Sequence, residues 1–165
     1  MSDAGGLSAQ AGVESALGLF EAFSMGANFV MHAAGSLHSF AAVSYEKFML
    51  DMETIARLQY YFSALDCSDD ALGFEALKSV VTEEEQFMFS EHTLRRCRLD
   101  PFFNTVSLHG RALGEPNVAI YASCRAAIEH RLAGYRTPPL DPAVERALDG
   151  HMRALGMRET DIQKV

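Results

Sequence analysis

Between Gly26 and Gly35 the chain reads Asn28-Phe29-Val30-Met31-His32-Ala33-Ala34, a short and nearly unbroken apolar run. A run of this length, flanked by glycines, suits a strand buried on both faces, as in a parallel sheet covered by helices. Such a strand constrains everything around it, because its open ladder edges need paired neighbours in an apolar layer. The remainder of the sequence reads as helix and loop and offers no such neighbour. Two readings follow. Either the run is a buried helical turn and not a strand, or its partners lie on another polypeptide or on a further stretch of this one.

The helices are written more plainly. Val13, Ala16, Leu17, Phe20 and Phe23 recur at helical spacing with Glu14 and Glu21 off the stripe, and Gly26 falls where a helix C′ residue belongs. Ser44 caps a long second helix with Glu46 in its first turn, where the helix dipole favours an anion. Its apolar face is Tyr45, Phe48, Met52, Ile55, Ala56 and Phe62, and Glu53 and Arg57 form an i,i+4 pair beside it. A third helix starts at Ser68-Asp69-Asp70 and carries Leu72, Phe74, Leu77 and Val81. Ser90 caps a short helix through HTLRRC, and Pro101 with FFNTVSLHGRALGEP predicts an irregular, partly buried loop. Val118, Tyr121, Cys124, Ile128 and Leu132 mark another helix ended by Gly134. Asp141 as N-cap and Pro142 at the first helical position open the last one, closed by Gly156. The tail MRETDIQKV reads as frayed.

Composition narrows the function classes. Lys and Arg total 14 against 22 Asp and Glu, a net charge of −8, so a phosphate backbone is a poor partner. No stretch approaches the roughly 20 apolar residues of a membrane span. The opening MSDAGGLSAQAG lacks a basic and an apolar region and does not read as a signal peptide. Cys67, Cys97 and Cys124 are far apart and form no CxxC pair, which fits reduced thiols in a cytoplasmic protein. No HExxH, CxxC or i,i+4 histidine pair occurs, so no metal site is expected.

Five collinear pieces, SAQAGVESAL, GANFVMHAAGSL, SYEKFMLDMETIARL, SEHTLRRCRLDPFF and YRTPPLDPAVERAL, together resemble the C-terminal part of the trimethylamine methyltransferase family. The resemblance runs from about Leu7 to Leu148. It implies an α/β fold: the C-terminal portion of a (β/α)₈ TIM barrel, mostly helical in isolation with one or two short strands. The whole chain, 1–165, is then one segment, with late barrel units and an irregular loop over 1–114 and C-terminal helices over 115–156. Members of the family move a methyl group from a tertiary or quaternary methylated amine to the cobalt of a separate corrinoid protein, some of them with pyrrolysine at the active site. No cofactor is then bound directly; the corrinoid (cobalamin) sits on the partner. A complete barrel needs about 250 residues, so 165 residues read as a truncated or split part of such an enzyme, completed by an N-terminal barrel subunit or assembled as a homo-oligomer.

In those terms Asn28–Ala34 is a late barrel strand and Gly35–Val43 the loop at its C-terminal end, the face where barrels place their chemistry. The expected substrate-binding set is His32, Gly35, Ser36, His38 and Tyr45, with no catalytic group assigned. Aromatic faces and a carboxylate suit a quaternary cation, which adds Phe40, Asp51 and Glu53. Each has a plainer alternative: Tyr45 shares the stripe of Phe48 and Met52, Asp51 and Glu53 lie inside a helix, and a histidine in an apolar run is more often a core residue. His92 is expected to bond backbone. Arg95, Arg96 and Arg98 form the dense basic cluster of an acidic chain, either a solvated face or a dock for an acidic corrinoid protein; Glu83–Glu85 read as a solvated face. The rival to an enzyme part is a free-standing helical interaction module with its apolar faces closed on each other.

Overall fold

The capping residues set the element boundaries. In the computed structural model, which describes residues 2–83, 86–107 and 116–162, the Ser8 hydroxyl accepts from the Ala11 amide and opens α1, Ala9–Ser24. The helix closes at Gly26, whose φ of 68° is open to glycine at little cost. Ser44 caps α2, Tyr45–Tyr61, through the Lys47 amide at 3.2 Å. Ser68 caps α3, Asp69–Leu72, and α4 is Phe74–Glu83. Ser90 caps α5, Glu91–Arg96; α6 is Pro116–Gly134. Asp141 and Pro142 open α7, Pro142–Ala154, and α8 is Glu159–Ile162. Two two-residue strands, β1 (Ser36–Leu37) and β2 (Ala42–Val43), pair antiparallel with Ser36 opposite Val43 and Leu37 opposite Ala42. The architecture is mostly helical.

Several expectations are corrected. Asn28–Ala34 is neither strand nor helix but irregular chain with a turn at Met31–His32, and Phe29 is 81% exposed. Val30 is its one β-branched residue, and His32 at φ 52° breaks any extended run. The strands that do form lie just beyond it, at 36–37 and 42–43. The third helix is two, because Gly73 at φ 65° turns the chain between Leu72 and Phe74. The tail is not wholly frayed, since α8 buries Ile162. The side chains of Glu83–Glu85, residues 108–115 of the long loop and residues 163–165 lie outside the described residues.

Burial departs furthest from the pattern. On α1 the buried residues are Ala11, Ser15 and Leu19, while Val13, Leu17 and Phe20 are exposed. On α2 the buried residues are Lys47, Met49, Asp51 and Glu53, while Tyr45, Phe48 and Met52 are exposed. Successive helical residues are about 100° apart, so Lys47 and Asp51 share one face and Met49 and Glu53 lie nearly opposite. The first face meets α1. The second meets Val106 of the loop before α6 and Cys124 of α6, with Leu50, Ile120 and Ile128 around them. Burial pushes the Cys124 thiol upward, and Cys67 and Cys97 are exposed and free. A second small cluster joins Ala4, Ala11 and Leu37.

The chain divides into two compact units, Met1–Arg131 and Leu132–Val165. In the second unit, Arg153 bridges α7 to Glu159 of α8 at 2.5 Å, and Arg158 pairs with Asp161 at 2.7 Å. No helix among the described residues is long and apolar enough to cross a membrane.

Candidate substrate-binding loop

The segment from His32 to Val43 is held in a conformation it would not adopt alone. His38, Ser39 and Phe40 follow one another at φ 48°, 50° and 76°, with His32 at 52°. Each non-glycine residue in the left-handed region costs about 1–2 kcal/mol, so three in a row persist only where surrounding contacts fix them.

Those contacts come from three directions. From α2, the Asp51 carboxylate accepts the Gly35 amide at 2.8 Å, and the Gly35 carbonyl accepts the Ser44 amide at 3.0 Å. Gly35 sits at φ 81°, and a Cβ there would lie 3.1 Å from Phe48 Cβ, so the close approach requires glycine. From the N-terminal strap, the carbonyls of Ala4 and Ser2 accept the amides of His38 and Ser39 at 3.2 and 3.1 Å, and Asp3 accepts the Ser39 hydroxyl at 2.6 Å. From the core, Leu37 packs on Ala4 and Ala11.

Each anchor is itself anchored. Lys47 Nζ lies 2.5 Å from Asp51 Oδ2 and donates to the Ser15 hydroxyl at 2.6 Å; Lys47 is 2% exposed and Asp51 3%. A buried ion pair is tolerated only when its remaining hydrogen-bonding capacity is met, and Ser15 and Gly35 meet it here. Glu14 of α1 accepts the Ser2 hydroxyl and the Asp3 amide at 2.8 Å, the Ala4 amide at 3.3 Å and the Gln10 side-chain Nε2 at 2.6 Å. The bonds from Gln10 and Ser2, joined by those backbone amides, bring its carboxyl down to about 2.

The predicted site residues can now be placed. His32 is exposed, its ring tilted against that of Phe40 at 4.7 Å. Gly35 is the buried pivot. Ser36 is buried in β1, so its hydroxyl is not offered at an open rim. His38 is exposed at the turn, its ring over Gly5. Tyr45 stands on the first turn of α2 at 74% exposure and does not enter a core with Phe48 and Met52. Asp51 is engaged by Lys47 and Gly35. Glu53 is engaged too: it accepts the amides of Thr105 and Val106 at 2.6 Å and of Ser107 at 3.1 Å, and pairs with Arg57 at 3.4 Å. Burial raises its carboxyl, but the bonds from Ser107, Val106 and Thr105 outweigh that and set it at about 2. Neither carboxylate is free for a cation.

Elsewhere, His92 Nε2 lies 2.7 Å from the Asp70 carbonyl, the backbone bond expected of it. Arg95 pairs with Asp70, and Arg96 with Asp66, Asp70 and Asp100 at 3.2, 3.0 and 3.0 Å. Two of the three cluster arginines are thus already matched by carboxylates of this chain. Arg96 holds its proton still more firmly for it, with Asp100 the largest influence. Among the described residues no group of three or more His, Cys, Asp or Glu is placed to hold a metal ion.

Sequence reasoning did not single out Lys47, Ser15, Glu14 or the strap Ser2–Ala4. Lys47 and Asp51 carried a legible signal, an oppositely charged pair four residues apart on a helix. The strap carried none, since most of its bonds come from backbone groups and all reach partners far along the chain.

The trimethylamine methyltransferase (MTTB) family matches residues 1–156, and the chain is a member of that family. Among curated proteins it is similar to the glycine betaine methyltransferase of Desulfitobacterium hafniense (strain Y51), 30% identical over 160 residues. That match covers 94% of this chain and 33% of the relative, so the chain spans about a third of the relative's length.

Proposed function

We propose that this chain is one part of a methyltransferase that moves a methyl group from a tertiary or quaternary methylated amine to the cobalt of a corrinoid protein. Membership of the trimethylamine methyltransferase family over residues 1–156 carries this reading, and the likeness to a glycine betaine methyltransferase favours a quaternary substrate. In such a transfer the C–N electron pair stays with the departing amine and the acceptor supplies the pair for the new bond. The protein's work is to bind the ammonium and aim its methyl group. The cobalt acceptor arrives on the partner, and the rest of the barrel comes from the remaining two-thirds of the enzyme.

Within this part, the Gly35–Val43 loop forms one piece of the substrate rim. His32 and Phe40 offer two ring faces tilted to each other, with Tyr45 and His38 beside the same loop in sequence, suited to a methylated ammonium by cation–π attraction. Ser36 and Gly35 set the loop's course from beneath. The apolar side chains left open on α1 support the enzyme-part reading over a self-closed helical module, which has no reason to leave them uncovered.

The test combines the chain with the portion of the D. hafniense enzyme outside the matched stretch, a reduced corrinoid protein and a panel of trimethylamine, glycine betaine and other methylated amines. The corrinoid spectrum should pass from its reduced to its methylated form with at least one of them. No change with any amine contradicts the reading.

A further inference from the structure

The helix α1 leaves most of its apolar stripe open. Its small and polar residues Ala11 and Ser15 are buried, while Val13 and Leu17 are 58% and 59% exposed. Positions two apart on a helix point about 200° from each other, so Val13 and Leu17 point away from Ser15, which bonds Lys47 of α2. The stripe continues onto the end of α2: Phe20 meets the rings of Tyr61 and Phe62 at centroid distances of 6.2 and 5.6 Å, and all three rings are exposed. In a chain of net charge −8 this strip of Val13, Leu17, Phe20, Tyr61 and Phe62 carries no charge. Contiguous exposed apolar strips of this kind mark interaction surfaces.

We propose that this strip is the seat of the polypeptide that makes up the remaining two-thirds of the methyltransferase. The occupant follows from length: the chain matches 33% of its relative, and the unmatched two-thirds is a body large enough to cover the strip. The inference rests on reading the chain as one part of a larger enzyme, and it adds which surface joins the parts. Ser15 and Lys47 hold the two helices together at the middle of the α1–α2 seam, and Val13 and Leu17 on the other side of α1 are left for the joint.

The experiment titrates the full 165-residue chain into the portion of D. hafniense glycine betaine methyltransferase outside the match, read by calorimetry and sedimentation. The wild-type chain should form a one-to-one complex, and Leu17→Glu with Phe20→Glu should weaken it on the order of a hundredfold. Both sites are exposed, so far-UV circular dichroism of the variant should be unchanged. Should helicity fall, the single Val13→Glu variant takes its place with a loss on the order of tenfold. Unchanged affinity in the variants, no complex with the wild-type chain, or self-association of the chain that the same substitutions abolish would each overturn the proposal. The corrinoid assay separates the two readings. Methyl transfer with unaltered affinity removes only the docking surface. A complex that is broken by the substitutions yet methylates nothing removes only the activity.

Discussion

Lys47 and Asp51, one turn apart on α2, form an ion pair at 2.5 Å that is almost wholly withdrawn from solvent, and the same carboxylate holds the amide of Gly35. The pair therefore ties the central helix to the loop that the functional reading places at the substrate rim. Removing one member of a buried pair leaves an uncompensated charge.

Lys47→Met should cost about 3–5 kcal/mol in urea unfolding. Lys47→Met combined with Asp51→Asn should cost less than the sum of the single changes, by about 1–3 kcal/mol, since the two share one interaction. Strict additivity would show that the two groups do not depend on each other.

Gly35→Ala adds a Cβ at φ 81° and 3.1 Å from Phe48 Cβ. It should destabilise the fold by about 1–3 kcal/mol. Ser63→Ala, at an exposed site just past the C-terminal end of α2, should stay within about 0.5 kcal/mol. Thermal melts compare the two directly, and an equal effect contradicts the account of the pivot.

Glu53 has a folded value near 2 against an ordinary 4.5. A depressed carboxyl contributes stability that is complete above its unfolded value and is lost as pH falls through the folded one. Stability should therefore decline between about pH 4.5 and pH 2, with Glu14 contributing over the same window. Glu53→Gln should cost about 2 kcal/mol at neutral pH, because three backbone amides lose a charged acceptor, and should flatten the acid limb. An acid limb as steep as that of the wild-type chain would exclude Glu53 as its source.

The strap predicts a pattern of hydrogen exchange. The amides of His38 and Ser39 donate to the carbonyls of Ala4 and Ser2 and should be protected despite their exposed side chains. Glu14→Gln weakens the hold on Ser2–Ala4 and should speed exchange at both amides while leaving those of α2 unaltered. Fast exchange in the wild-type chain would mean that the left-handed turn is not fixed from the strap.

Local chemistry was legible in the sequence and tertiary choice was not. Ser44, Ser90 and Asp141 cap helices through bonds to amides two or three residues away, so their roles follow from the sequence around them. Gly26 likewise announces its own turn. Periodicity found the apolar stripe of α1 correctly but says nothing about which face is covered. That depends on a partner surface, and within this chain α1 meets α2 through Ser15 on Lys47 and, at its end, through Phe20 on Tyr61 and Phe62. At Asn28–Ala34 apolar content alone cannot distinguish a buried strand from irregular chain, and His32 takes a backbone angle no strand allows. In the candidate site, Gly35, Ser36 and His38 were marked from the resemblance. Of the groups that hold them, Lys47 has its i,i+4 partner Asp51 in the sequence, while the roles of Glu14 and the strap emerge only once the chain is folded.

The account is tested most directly by methyl transfer from glycine betaine to a reduced corrinoid protein, followed spectroscopically with the chain alone, with the unmatched portion of the D. hafniense enzyme alone, and with both. The corrinoid should become methylated only in the mixture, and Gly35→Ala should slow that reaction. A rate from the unmatched portion that the chain does not raise would contradict the claim that these residues form part of the enzyme.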